Sequence, residues 1–147
     1  MVWRVYKKKT WIILIGIILT ITLADQMSVH LFKNVFHRLR PSHAENLKDI
    51  VHIVNGNRGG LYGFVSSHAT NTFGLAMFLF ALIRRRYKYF WWVFVWAAIV
   101  SYSRIYLGKH YPGDIICGAI LGLLIGYFTS WLSKKALNYF ENRKKGL

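Results

Sequence analysis

Residues 115–132 read IICGAILGLLIGYFTSWL, an uncharged run of 18 residues. That length and polarity fit a helix crossing the apolar core of a bilayer. Within it Gly118, Gly122 and Gly126 recur every fourth residue, two overlapping small-xxx-small steps that mark a close contact with a second helix. Working back toward the N-terminus, three more apolar runs appear, at Trp11–Ala24, Ala69–Ile83 and Tyr89–Tyr102. These three fall short of the roughly 20 residues that span a bilayer core, so each is expected to take length from its polar flanks. The first is expected to continue as helix through Phe32, with Asp25, Gln26 and Ser28 turned toward protein or a wet cavity, because lipid would leave them unsolvated. The expected fold is an all-α integral membrane bundle of about four transmembrane helices. One domain is expected over residues 1–147, since that length does not comfortably divide in two.

The charge pattern agrees with the apolar one. The chain carries 20 Lys plus Arg against 5 Asp plus Glu, a net charge of +15, with 54% hydrophobic residues. Such hydrophobicity excludes a disordered chain. A nucleic-acid binder would spread its cations along a soluble face, whereas here they sit in blocks between apolar runs, so no nucleic-acid partner is expected. Arg4, Lys7 to Lys9, Arg84 to Arg86, Lys88, Lys134, Lys135 and Arg143 to Lys145 make 13 basic residues on one side of the expected membrane, against 7 on the other. Cytoplasmic loops hold such an excess, so both termini are expected in the cytoplasm of a cell inner membrane, with the 33–58 and 104–109 loops outside. A cleaved signal peptide is the competing reading of Lys7 to Lys9 and the run behind them, but no A-x-A-like site follows Ala24. Cys117 is the only cysteine and is expected to be a buried, inert thiol.

Three clusters on the expected outer side carry chemistry. Lys33 is followed after six residues by Arg40 and Pro41. If Lys33 ends a helix and Pro41 fixes an extended exit, both cations can converge on one anion. The bland alternative is contact with lipid headgroups. Next come Val65, Ser66, Ser67 and His68 at the start of the second run, where free backbone NH groups and the helix dipole suit a phosphate oxygen. Here the alternative is an ordinary N-cap with an interfacial histidine. The third cluster is Ser103, Arg104, then His110, Tyr111, Pro112, Gly113 and Asp114. A neutral imidazole can attack phosphorus, and a carboxylate on its other nitrogen fixes the tautomer, so Asp114 is the candidate orienter of His110. Arg104 adds a fixed cation for developing charge.

In this order and spacing the clusters resemble the tripartite signature of the type 2 phosphatidic acid phosphatase superfamily. That signature runs K, six residues, RP; then PSGH; then SR, five residues, H, three residues, D. The resemblance implies a membrane lipid phosphatase that needs no metal or other cofactor. It implies that Lys33, Arg40 and Arg104 hold the phosphate with help from the backbone at Ser66 and Ser67. His110 would form a phosphohistidine, Asp114 would orient it, and His68 would protonate the leaving oxygen. Undecaprenyl diphosphate, phosphatidylglycerol phosphate, phosphatidic acid and lipid A phosphates all suit a site where a tail stays in the bilayer. Val65 replaces Pro and Ser67 replaces Gly in the second motif, which puts the loop shape in question. Membrane members commonly have six spans and four are read here. The flank that two further spans would cover is therefore expected to be exposed, which raises a homodimer as a candidate.

Two other classes compete. A metal site built from His30 and Asp25, or from His43 and Glu45, lacks a compact ligand spacing. A non-catalytic protein holding anionic lipid through its basic loops would place no demand on His110 or Asp114. A short interfacial helix is expected around Glu45 to Val54.

Overall fold

The computed structural model describes residues 6–47, 50, 51, 53 and 56–145, with the side chains of residue 7 and residues 143–145 excepted. Four long helices follow one another, with no strand among the described residues. Helix α1 is Thr10–Met27, α2 is Ser67–Ile83, α3 is Trp92–Tyr106 and α4 is Pro112–Lys145. The α1 rod does not stop at Met27. It runs on through a wide π-helical turn, Ser28–Lys33, and a last turn, Asn34–Phe36, one turn beyond the Phe32 expected from the sequence. His37 ends it in the left-handed conformation, φ 47° and ψ 28°.

Thr10–Phe36 and Pro112–Asn142 are long and apolar enough to cross a membrane. At 1.5 Å per residue, α2 and α3 reach only about 26 and 23 Å, short of a bilayer core of about 30 Å. The outward faces suit lipid: Ile15, Ile18, Ile99, Ile120 and Leu124 are all more than half exposed. Cys117 shares that outward face and is exposed, which corrects the expectation of a buried thiol. The helical phase explains the difference, because Asp114, Gly118 and Gly122 define the inward stripe and Cys117 falls beside Ile120 and Leu124 on the other side. Of the polar residues on α1 expected to avoid lipid, Ser28 is buried and Asp25 half-buried, but Gln26 is exposed.

The inward stripe is the core of the bundle. A Cβ on Gly118 would lie 2.7 Å from the Ser66 carbonyl oxygen, and one on Gly122 would come within 2.9 Å of the Gly74 nitrogen and overlap the Thr70 carbonyl. A Cβ on Gly126 would overlap the Gly74 carbonyl. The three glycines thus set the α4 backbone directly on the α2 backbone, the contact their spacing implies. Helix α1 packs against both through small and hydroxyl groups. Thr20 Oγ1 and Thr129 Oγ1 lie 2.7 Å apart in a fully buried pair, and Gly16 leaves room for Phe78 and Ser133. Ile12, Ile13, Phe78, Leu82, Ile83 and Leu137 close the core near the termini.

An ion pair of 3.3 Å between Lys9 and Glu141 places the start of α1 beside the far part of α4. Both chain ends therefore sit at one end of the bundle, and the end of the α1 rod, the starts of α2 and α4 and the end of α3 sit at the other. The 37–66 loop closes that second end. An antiparallel bridge pairs Leu39 with Tyr62, with Arg40 NH donating to Leu61 O at 3.0 Å and Gly63 NH to Arg38 O at 2.9 Å. The interfacial helix expected around Glu45 to Val54 falls partly outside the described residues, and those described there form successive turns.

Replacing Gly122 with Val drives a branched side chain into the Thr70 carbonyl. Overpacking of this kind costs about 1–3 kcal/mol. The variant is expected to unfold at a lower temperature in detergent, as followed by circular dichroism, and an unchanged midpoint would mean that the helices do not depend on this contact.

Candidate active site

The three clusters singled out in the sequence meet at the closed end of the bundle. Asp114 occupies the first turn of α4 and is 0% exposed. Its Oδ1 accepts from Arg38 Nη1 at 2.9 Å and its Oδ2 from the Tyr111 backbone NH at 2.9 Å. His110, 4% exposed, directs Nδ1 at Oδ2 from 3.5 Å. At that separation the two are in ion-pair range but the contact is too long or misaligned for a formed hydrogen bond, and Nδ1 has no hydrogen-bond partner among the described residues. The short turn through Pro112 and Gly113 folds the carboxylate back on the ring, as the sequence suggests. Nδ1 faces the carboxylate, so Nε2 is the nitrogen free to act.

The electrostatics fix the ring in its neutral form. Burial pulls the His110 pKa below the ordinary imidazole value, and Arg40 and Lys33 push it the same way. Asp114 opposes them through its contact with the ring and its charge, without reversing the shift. The imidazole is therefore unprotonated at neutral pH.

Cations reach this pair from several segments. Pro41 holds Arg40 in extended backbone, and the loop bridge fixes it there. Arg40 Nε donates to Tyr62 O at 3.2 Å, and the guanidinium feels both the Asp114 carboxylate and Arg104. Gly63 makes this crowding feasible, because a Cβ there would lie 3.1 Å from Arg40 Cγ, 3.4 Å from Asp114 Oδ2 and 3.5 Å from His110 Nδ1. Arg104, in the last turn of α3, has a buried Nε with no partner among the described residues. An orphaned guanidinium donor in that position suits an anion.

Lys33 is positioned by the wide turn of the α1 rod. Its Nζ donates to Ser67 Oγ at 2.7 Å, and Ser28 Oγ lies 2.6 Å from the same oxygen. In a regular α-helix residues five apart diverge by about 140° around the axis. The π-helical turn brings Ser28 and Lys33 onto one face. Ser66 is the N-cap of α2, accepting from Ala69 NH at 3.4 Å, while its own NH donates to Asp114 O at 3.1 Å. The Ser66 NH is thus committed to joining α2 to α4, which leaves Ser67 and His68 as the backbone donors at the helix start. His68 is exposed at the mouth of the site, and the charges acting on it are those of Arg104, His110, Lys33 and Lys109.

All eight residues predicted from the sequence come together. Two contacts within this cluster were missed. Arg38, the partner of Asp114, also stacks over the Tyr111 ring at 4.3 Å. The signal was present, since an extended chain imposed by Pro41 puts residues 38 and 40 on one face. Ser28 was expected to face protein or a wet cavity, but its contact with the Ser67 hydroxyl was not foreseen, because nothing in the sequence announces a π-helical turn. Among the described residues no three His, Cys, Asp or Glu side chains gather as a metal-ligand set.

A histidine backed by a buried carboxylate and ringed by cations defines an anion-handling site at one end of a membrane helical bundle. The chain belongs to the PAP2 superfamily, whose sequence pattern matches residues 10–137. It is 48% identical over 122 residues to a lipid A 4'-phosphatase of Bacteroides thetaiotaomicron, a match covering 82% of this chain and 54% of that protein. A lipid A 4'-phosphatase of Porphyromonas gingivalis is 43% identical over 127 residues, covering 84% of this chain and 53% of the relative. The undecaprenyl-diphosphatase BcrC of Bacillus subtilis is 28% identical over 64 residues, 44% of this chain and 32% of that protein. The chain spans about half the length of the two lipid A 4'-phosphatases. No solved structure matches it.

His110 is expected to titrate below the ordinary histidine value of about 6.5. Asp114→Asn should lower that pKa further and Arg40→Gln should raise it, since the first removes an influence that favours the charged ring and the second one that opposes it. Histidine NMR titration in detergent micelles measures all three, and an upward shift in the Asn variant would contradict the assignment.

Proposed function

We propose that this protein hydrolyses a phosphate monoester on a membrane lipid through a phosphohistidine intermediate, with the 4'-phosphate of a lipid A-type disaccharide as the preferred group. One observation carries the chemistry: His110 points Nδ1 at a fully buried carboxylate while four cations, Lys33, Arg38, Arg40 and Arg104, gather around the pair. The choice of lipid rests on the names of the two relatives that overlap most of this chain.

In the first step His110 Nε2 attacks phosphorus and the bond from phosphorus to the lipid oxygen breaks. Asp114 accepts the Nδ1 hydrogen bond and stabilises the charge that grows on the ring. Lys33, Arg40 and Arg104 hold the equatorial oxygens, where the transition state carries most of its charge. Arg38 is already spent on Asp114, so its role is to fix the carboxylate. His68 carries a proton once the phosphate anion sits among the surrounding cations, and gives that proton to the departing lipid oxygen. In the second step neutral His68 takes a proton from water as the water oxygen bonds to phosphorus. The nitrogen–phosphorus bond then breaks, releasing phosphate and neutral His110. No step calls on a metal.

The bundle suits this substrate because the site lies at the helix ends, where a headgroup can approach while its tails remain in the bilayer. The excess of basic residues on the side of the termini supports a cytoplasmic location for both, with the site toward the periplasm or exterior.

The test is phosphate release by detergent-purified protein in excess chelator. The substrates are lipid A carrying only a 4'-phosphate, lipid A carrying only a 1-phosphate, and undecaprenyl diphosphate. Release from the first is expected to persist in chelator and to fall about a thousand-fold or more in His110→Ala. Full activity in that variant would overturn the nucleophile assignment. Faster turnover of either other lipid would overturn the substrate.

A further inference from the structure

The opposite end of the bundle holds a second cationic site that the proposed reaction does not use. A cavity of about 790 Å³ opens between the start of α1, the end of α2 and the far part of α4. Lys8, Lys9, Arg84, Arg85 and Lys134 line it against one acid, Glu141. That acid is occupied by Lys9 at 3.3 Å, and among the described residues none of the other four cations forms an ion pair. Lys134 has Arg84 and Arg85 as like-charged neighbours. The floor is apolar, made by Ala81, Leu82 and Leu137.

Basic residues at this end are expected from topology alone, but topology asks only that they lie near the helix ends. Lys135 and Lys88 lie over neighbouring rings, Trp131 at 4.0 Å and Tyr89 at 5.8 Å, and line no such cavity; Arg84 also lies over a ring, Phe80 at 5.6 Å, yet lines the cavity. The five lining cations, Arg84 among them, arrive from three separate segments and converge on one concavity. A cationic rim over an apolar floor matches a phosphate headgroup whose glycerol and upper chain follow it down, and basic pockets between transmembrane helices take such groups.

We propose that this cavity binds the phosphate headgroup of an anionic phospholipid from the leaflet on the side of the chain termini. The site is separate from the catalytic one and does not depend on its chemistry. The same cations would also receive a soluble phosphate, so the test must distinguish the two sources.

Binding of fluorescent phosphatidylglycerol to the full chain in neutral detergent serves as the readout, with phosphatidylcholine as a zwitterionic control and sodium pyrophosphate as the soluble probe. Arg85→Gln with Lys134→Gln is expected to weaken phosphatidylglycerol binding at least ten-fold. Both side chains are exposed, so the lipid-free melting curve of this variant should match wild type. Lys33→Gln with Arg40→Gln, at the other end, should leave that binding within two-fold of wild type. Equal binding by Arg85→Gln/Lys134→Gln and wild type, or loss only in the Lys33→Gln/Arg40→Gln variant, would overturn the proposal. Binding of pyrophosphate but not phosphatidylglycerol, with the same dependence on Arg85 and Lys134, would overturn a lipid occupant in favour of a soluble one.

Discussion

The site depends on a contact that contains almost no side chain. Gly118, Gly122 and Gly126 lay the backbone of α4 on the backbone of α2, close enough that a single methyl group would overlap a carbonyl. In a bilayer the solvent gives no hydrophobic reason for helices to associate, so close van der Waals packing of this type must hold them. It also sets their register. The Ser66 NH reaches the Asp114 carbonyl only because Gly118 sits against Ser66 one turn along, and that bond joins the second motif to the third.

Given that register, charge decides the rest. A carboxylate with no exposure at all requires partners, and it takes one from each of three places: the 37–66 loop through Arg38, the turn through Tyr111, and the ring of His110. The cations around it outnumber it. Their mutual repulsion is tolerable in an ordered site when an anionic group arrives between them, which accords with an unpartnered buried donor on Arg104.

Much of this was legible in the sequence, for identifiable reasons. Apolar runs separated by basic blocks admit little besides a membrane bundle, and the four-residue glycine period specified which face of the last helix would be covered. Lys33, Arg40, His68, Arg104, His110 and Asp114 were legible as one set through the resemblance of their order and spacing to the tripartite signature, since lipid contact or an ordinary N-cap also accounts for the first two clusters taken alone. What escaped depended on backbone geometry or on phase. Arg38 looked like another basic loop residue until the bridge at Leu39 fixed its direction. Gly63 matters through the atoms that crowd it, none of which is near it in sequence. Cys117 was read from residue type, when helical phase against Gly118 decides its exposure.

The wide turn from Ser28 to Lys33 has a consequence for how the gene for such a protein can vary. A π-helical turn amounts to one extra residue accommodated in an otherwise α-helical rod. Removing one residue there lets the segment relax to a regular helix while the flanking turns keep their packing, so the chain still folds. Ser28 and Lys33 would no longer share a face, and Ser67 would lose one of the two groups now held at its hydroxyl. This short segment is therefore where the fold tolerates a change of length and the site does not.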